Sequence, residues 1–128
     1  MHAPTVLLID GDRDSLDIYS SILRHHGFRV LVTDDGETGF ALACEHQPEL
    51  VVLEPFVLLA HGVPLTELLQ ADARTSALSV LLVTGAPTVV ESTKSVGRWG
   101  ERYLVKPCRP GRFLAEVRRR LEPLSSAA

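Results

Sequence analysis

Residues 48–55 read PELVVLEP and residues 79–85 read SVLLVTG. Each holds four consecutive aliphatic side chains, then one polar residue, then a turn former. A strand with one wet face alternates apolar and polar residues, so an unbroken run indicates a strand covered on both faces. TVLLID (5–10) repeats the pattern and ends on Asp10, followed by Gly11. FRVLVT (28–33) and RYLVK (102–106) are weaker versions of the same signal. The predicted strands are therefore 6–9, 28–33, 49–54, 79–84 and 102–106.

Segments of helical length separate these runs. Residues 14–26 place Leu16, Tyr19, Ile22 and Leu23 at helical spacing, and Gly27 stops the helix. Residues 36–46 carry Phe40, Ala41 and Cys44, and residues 63–71 carry Leu65, Leu68 and Leu69. Residues 87–98 and 110–121 open with Pro87 and Pro110, proline being well suited to a first helical turn. Regular alternation of strand and helix predicts a doubly wound α/β domain, with a five-stranded parallel sheet and helices on both faces. Right-handed crossovers make 2-1-3-4-5 the expected strand order.

The chain has 128 residues, 45% of them hydrophobic, which suits one domain with a sizeable core. One domain is expected over 1–122, with a loose tail at 123–128. The net charge of −3 is unevenly spread. Residues 98–128 hold eight basic and three acidic residues, so that segment is +5 and the rest −8. The basic segment suits either an acidic or phosphate-bearing partner or a solvated helix end. Cys44 and Cys108 have no disulfide-scaffold or metal-site spacing, and no apolar run is long enough to span a bilayer. With no leader-like N-terminal segment, a cytoplasmic setting is expected. Neither a P-loop nor G-x-G-x-x-G follows the first strand, which argues against nucleotide binding. The five histidines form no ligand spacing.

In a sheet of this order, ligands bind beyond the C-terminal ends of the strands, where the order reverses. Strand 1 ends in Asp10, strand 3 in Glu54, strand 4 in Thr84 and strand 5 in Lys106. Converging carboxylates suit a divalent cation, and a lysine beside a hydroxyl suits an anionic oxygen. These are the parts for phosphoryl transfer, with a structural Glu54–Lys106 ion pair as the plainer reading.

The chain resembles the receiver domain of two-component response regulators, whose fold is flavodoxin-like, over essentially its whole length. The resemblance runs from VLLIDGDRD through PELVVLEP and SVLLVTG to RYLVKPC, and Gly62 and DDGETGFALA (34–43) also match. It implies that Glu54 occupies the phosphoacceptor position and that Thr84 and Lys106 complete the pocket. It implies Tyr103 as the switch aromatic, and Asp10, Glu54 and the Phe56 carbonyl as ligands of a magnesium ion. It also implies a cis Lys106–Pro107 bond.

Two carboxylate positions depart from the family's pattern. Glu54 stands for an aspartate and moves the charge outward by one methylene, while Pro55 restricts its backbone. Gly11 stands where a second metal-binding acid belongs, so magnesium is expected to bind weakly or not at all. Asp12 is a candidate substitute, or a cap for the first helix. Leu58 replaces a usual proline, and Trp99 a usual glycine. Trp99 reads as packed against its neighbouring helix, with an exposed binding anchor as the alternative. The longer acid either imitates a bound phosphoryl group by reaching Lys106 or simply satisfies that lysine.

The expected function is a receiver-like signalling module that works without phosphorylation and is not an enzyme. Its partner, a sensor kinase or downstream effector, would meet a face containing Lys94, Arg98, Trp99, Arg102, Tyr103 and Arg112. A homodimer through that face is possible on the same grounds, and contact with nucleic acid or membrane is not expected. The alternatives are a magnesium-dependent receiver that is still phosphorylated, and a flavodoxin-like cofactor binder.

Overall fold

A computed structural model describes residues 3–122. The tail expected at 123–128 lies outside the described residues. The chain runs β1 (Thr5–Ile9), α1 (Arg13–His25), β2 (Arg29–Thr33), α2 (Gly36–His46), β3 (Leu50–Leu53), α3 (Leu65–Ala71), β4 (Val80–Thr84), α4 (Pro87–Ser92), β5 (Tyr103–Val105) and α5 (Pro110–Leu121). Two 3-10 segments, Ala60–Gly62 and Lys94–Glu101, precede α3 and β5. The strands form one sheet in the order β2-β1-β3-β4-β5, and every pairing is parallel.

The unbroken aliphatic runs divide residue by residue between the two faces of the sheet, because successive strand side chains point opposite ways. Val6, Leu8, Val52, Leu81, Val83 and Leu104 pack against α1 and α5, around the fully buried Phe113. Leu7, Ile9, Val51, Leu53, Val80 and Leu82 pack against α2, α3 and α4. The edge strand β2 is only partly covered, and Val32 is 40% exposed.

Local chemistry sets the helix ends. Gly27 has φ 89°, and the Phe28 N–H bonds the Leu23 carbonyl at 3.1 Å, which closes α1 with the left-handed glycine read from the sequence. Asp35 caps α2 by accepting from the Thr38 N–H at 2.8 Å. Asp12 occupies the N-cap position of α1, but its carboxylate accepts from the Ser15 hydroxyl rather than from a backbone N–H.

The helix expected over 87–98 breaks. α4 stops at Ser92, and the chain continues as a 3-10 segment interrupted at Gly97, where φ is 54° and ψ −140°. Gln70 on α3 holds this segment by donating to the Ser95 carbonyl at 2.7 Å. A Cβ at position 97 would meet the amide end of the Gln70 side chain, which can shift, so it is the backbone angle that calls for glycine. The segment carries Val96 and Trp99 into the core beneath it. Trp99 is 7% exposed and is withdrawn from the predicted binding face. Burying its large ring stabilises the segment more than a surface position would.

Candidate functional site

Asp10, Glu54 and Lys106 each stand one residue beyond a strand, so the sheet delivers them together at its C-terminal edge. The Glu54 N–H bonds the Ile9 carbonyl at 2.9 Å and the Lys106 N–H bonds the Thr84 carbonyl at 2.8 Å, continuing the ladders one step. The Lys106–Pro107 peptide is cis, as the resemblance implied.

Asp10 is 3% exposed. One carboxylate oxygen meets Lys106 Nζ at 2.5 Å, and the other accepts from the Asp12 N–H at 2.9 Å. A buried carboxylate must be paired, and Asp10 takes the cation of the pocket for itself. Glu54 does not reach Lys106. Its carboxylate turns back and accepts from the Phe56 N–H at 3.0 Å, two residues along its own loop. Burial pushes the Glu54 carboxyl above its ordinary range. The Phe56 N–H pulls it down, the Asp10 charge adds to the rise, and Lys106 opposes it.

Thr84 is fully buried, and its hydroxyl accepts from the Ala86 N–H at 3.0 Å. Tyr103 donates its hydroxyl to Glu91 Oε1 on α4 at 2.7 Å. That hydrogen bond pushes the Tyr103 phenol up, with burial and the Glu91 charge adding to it. Gly11 is exposed, and a Cβ placed there would meet nothing within 4 Å. Cys108, beside the pocket, has its thiol pushed up by burial, with the Arg112 charge opposing.

The predicted binding face is divided. Arg98 borders a surface cleft with Gln70 and Ser76, on the α3 side. Lys94 lines a cleft with Glu91 and Glu101. Arg102 is bound to Glu116 of α5 at 2.9 Å. Tyr103 is half-buried, and Arg112 is exposed on α5.

The sequence reading missed three residues. Glu91 holds the tyrosine from twelve positions away. Glu37 accepts from the Ala60 N–H at 2.5 Å and ties α2 to the loop beside Glu54. Glu116, 6% exposed, gathers Arg102, Arg119 and Arg120. Only the last has a local signal, because Glu116 is spaced three and four residues before Arg119 and Arg120.

Residues 6–118 match the family described as Response regulator receiver domain, and the chain belongs to that family. It is a receiver domain of two-component signalling. Protein PilH of Pseudomonas aeruginosa is 33% identical over 107 residues, covering 80% of this chain and 84% of PilH. The DNA-binding dual master transcriptional regulator RpaA of Synechocystis is 31% identical over 128 residues, covering 98% of this chain and 53% of RpaA. The chain spans about half the length of RpaA and of the mycobacterial MtrA regulators. Among solved structures, the receiver domain of a Pseudomonas aeruginosa sensor histidine kinase superposes with a TM-score of 0.80 at 16% identity, over 93% of this chain and 98% of that one. That likeness is one of fold. The neighbour holds a magnesium ion coordinated in its active-site cleft.

Proposed function

We propose that this domain signals by protein contact and does not depend on phosphorylation, with Glu54 as a permanent occupant of the acceptor position. The observation that carries this reading is the pairing of Lys106 with Asp10, while Glu54 is folded onto the Phe56 N–H. Phosphoryl transfer depends on positioning and on charge stabilisation. Here the acceptor oxygen is engaged by its own loop and the lysine by a neighbouring acid. The extended Glu54 that would reach Lys106 and imitate a phosphoryl group is not the arrangement adopted.

The donor set also fits magnesium poorly. Asp10 brings one carboxylate already shared with Lys106, Gly11 brings none, and Glu54 faces its own backbone. Among the described residues, no three His, Cys, Asp or Glu side chains form a group able to hold a metal ion. Mg²⁺ demands near-octahedral oxygens and gives up water reluctantly. The Phe56 carbonyl alone does not make up the difference. Among the described residues, no helix is long and apolar enough to cross a membrane. A cytoplasmic module that meets a sensor kinase or effector, without touching nucleic acid itself, completes the reading.

Incubation with Mg²⁺ and acetyl phosphate, followed by intact-mass measurement, is expected to leave the chain unmodified. A stoichiometric, base-labile adduct on Glu54 overturns the proposal. The double variant Gly11→Asp/Glu54→Asp is expected to accept a phosphoryl group, since position 11 has open space for a side chain.

A further inference from the structure

We infer that the open edge of the sheet at β2 pairs with the same edge of a second copy of this chain, in an antiparallel twofold contact that joins two sheets into one. This contact lies outside the pocket and stands whether or not Glu54 accepts a phosphoryl group.

The free edge follows from the bonding between β1 and β2. The Arg29 N–H bonds the Pro4 carbonyl at 3.0 Å, and the Asp10 N–H bonds the Thr33 carbonyl at 3.2 Å. Residues 29 and 33 therefore turn their backbone polar groups toward β1, and so does Leu31 between them, because these directions alternate along a strand. Val30 and Val32 turn theirs outward, away from the sheet. Arg24 on α1 agrees with this direction: its guanidinium approaches the Val30 carbonyl at 3.5 Å, the long limit of a hydrogen bond. β2 has five residues, against three in the opposite edge strand β5, and neither a proline nor a bulge interrupts it. It is the edge fit to receive another strand.

Side chains on this edge favour the same pairing. Val30 packs against the core beside α1, whereas Val32, on the same face, is 40% exposed. In an antiparallel pairing centred on Leu31, Val30 of each copy stands opposite Val32 of the other, and the two exchange both backbone hydrogen bonds. Each exposed valine then gains an apolar cross-strand neighbour. The weakly held Val30 carbonyl passes from Arg24 to the Val32 N–H of the second copy.

Charge selects a second copy as the occupant. β2 opens with the exposed Arg29, and the exposed Asp34 follows its last residue. On α1, the exposed Asp17 lies seven residues before Arg24 and so on the same side of the helix, about two turns away. α1 runs opposite to the strands. Arg24 and Arg29 therefore stand at one end of the edge, and Asp17 and Asp34 at the other. A twofold axis across the edge reverses one copy and sets each positive end on the other's negative end. A peptide of one sign would match one end and be repelled at the other. The contact closes at two copies, because each contributes the same edge.

The test uses the whole chain. Sedimentation across a concentration series measures its mass, and NMR follows amide hydrogen exchange at low and high concentration. The mass is expected to rise toward that of two copies and no further, and association to weaken as salt rises. Exchange at the Val30 and Val32 amides is expected to slow as concentration rises. Arg29→Asp and Asp34→Arg are each expected to weaken association by roughly tenfold or more, and the two together to restore most of it. Arg112→Glu on α5 is expected to leave association unchanged, and thermal melting verifies that the variants fold. A chain that stays monomeric up to about 1 mM overturns the proposal. So does a dimer whose Val30 and Val32 amides exchange as in the monomer, a single charge reversal without effect, or a paired reversal no better than the single ones. Loss of association in Arg112→Glu would place the contact on another face and overturn it as well.

Discussion

At the scale of single residues, the pocket is set by which side chains meet. Asp10 pairs with Lys106, Gly11 leaves open space, and Glu54 bonds its own loop. Half-buried Glu54 has its carboxyl raised by burial, and this has a definite sign for stability. A raised carboxyl favours folding below the unfolded-state value and loses that contribution as pH rises through the folded-state value. Ionised Glu54 therefore weighs against the fold at neutral pH. Glu54→Gln keeps an oxygen for the Phe56 N–H and removes the charge. It is expected to raise the melting temperature at pH 7, and the difference should vanish as pH falls below the carboxylate range. A lower melting temperature at pH 7 would count against the burial argument. The Asp10–Lys106 pairing was not legible in the sequence, which placed all three groups in one crevice but could not say which two would meet.

At the scale of elements, the segment between α4 and β5 departs most from the sequence reading. Residues 87–98 have helical length and a favourable proline start, yet the helix ends at Ser92. Tertiary contacts decide this: Gln70 holds the Ser95 carbonyl, and Val96 and Trp99 reach the core only if the backbone turns at Gly97. Gly97→Ala adds a Cβ against Gln70 and forces a conformation that L-residues rarely adopt. It is expected to cost about 1–3 kcal/mol in urea unfolding. Adding Gln70→Ala should return part of that loss, because the clash goes while the backbone strain stays. If Gly97→Ala unfolds at the parent's urea midpoint, the segment is not under the constraint described. The ends of α1 and α2, by contrast, follow from Gly27 and Asp35, because capping is local.

At the scale of the molecule, charge is divided between fold and surface. Glu116 is buried, and burial works against its charge; the hydrogen bonds from Arg102 and Arg120 outweigh that and hold its carboxyl below the ordinary range. Through Arg120 the same cluster fastens α5 to β4. Glu116→Ala is expected to destabilise the domain by about 1–2 kcal/mol in denaturant unfolding, because the mostly covered Arg120 loses its partner while the more exposed Arg102 and Arg119 return to water. A change within experimental error would make the cluster incidental. The sequence by itself determined the five-stranded parallel sheet, its order, its two-sided core and the four strand ends that form the pocket. These follow from unbroken aliphatic runs, turn residues and the handedness of crossovers, all of which act over short stretches of chain. Only the tertiary structure decided that Lys106 meets Asp10 and not Glu54, that the helix after β4 ends at Ser92, and which arginines Glu116 gathers. Those outcomes depend on competition between side chains far apart in the chain, settled by distances of a few ångströms that no spacing in the sequence records.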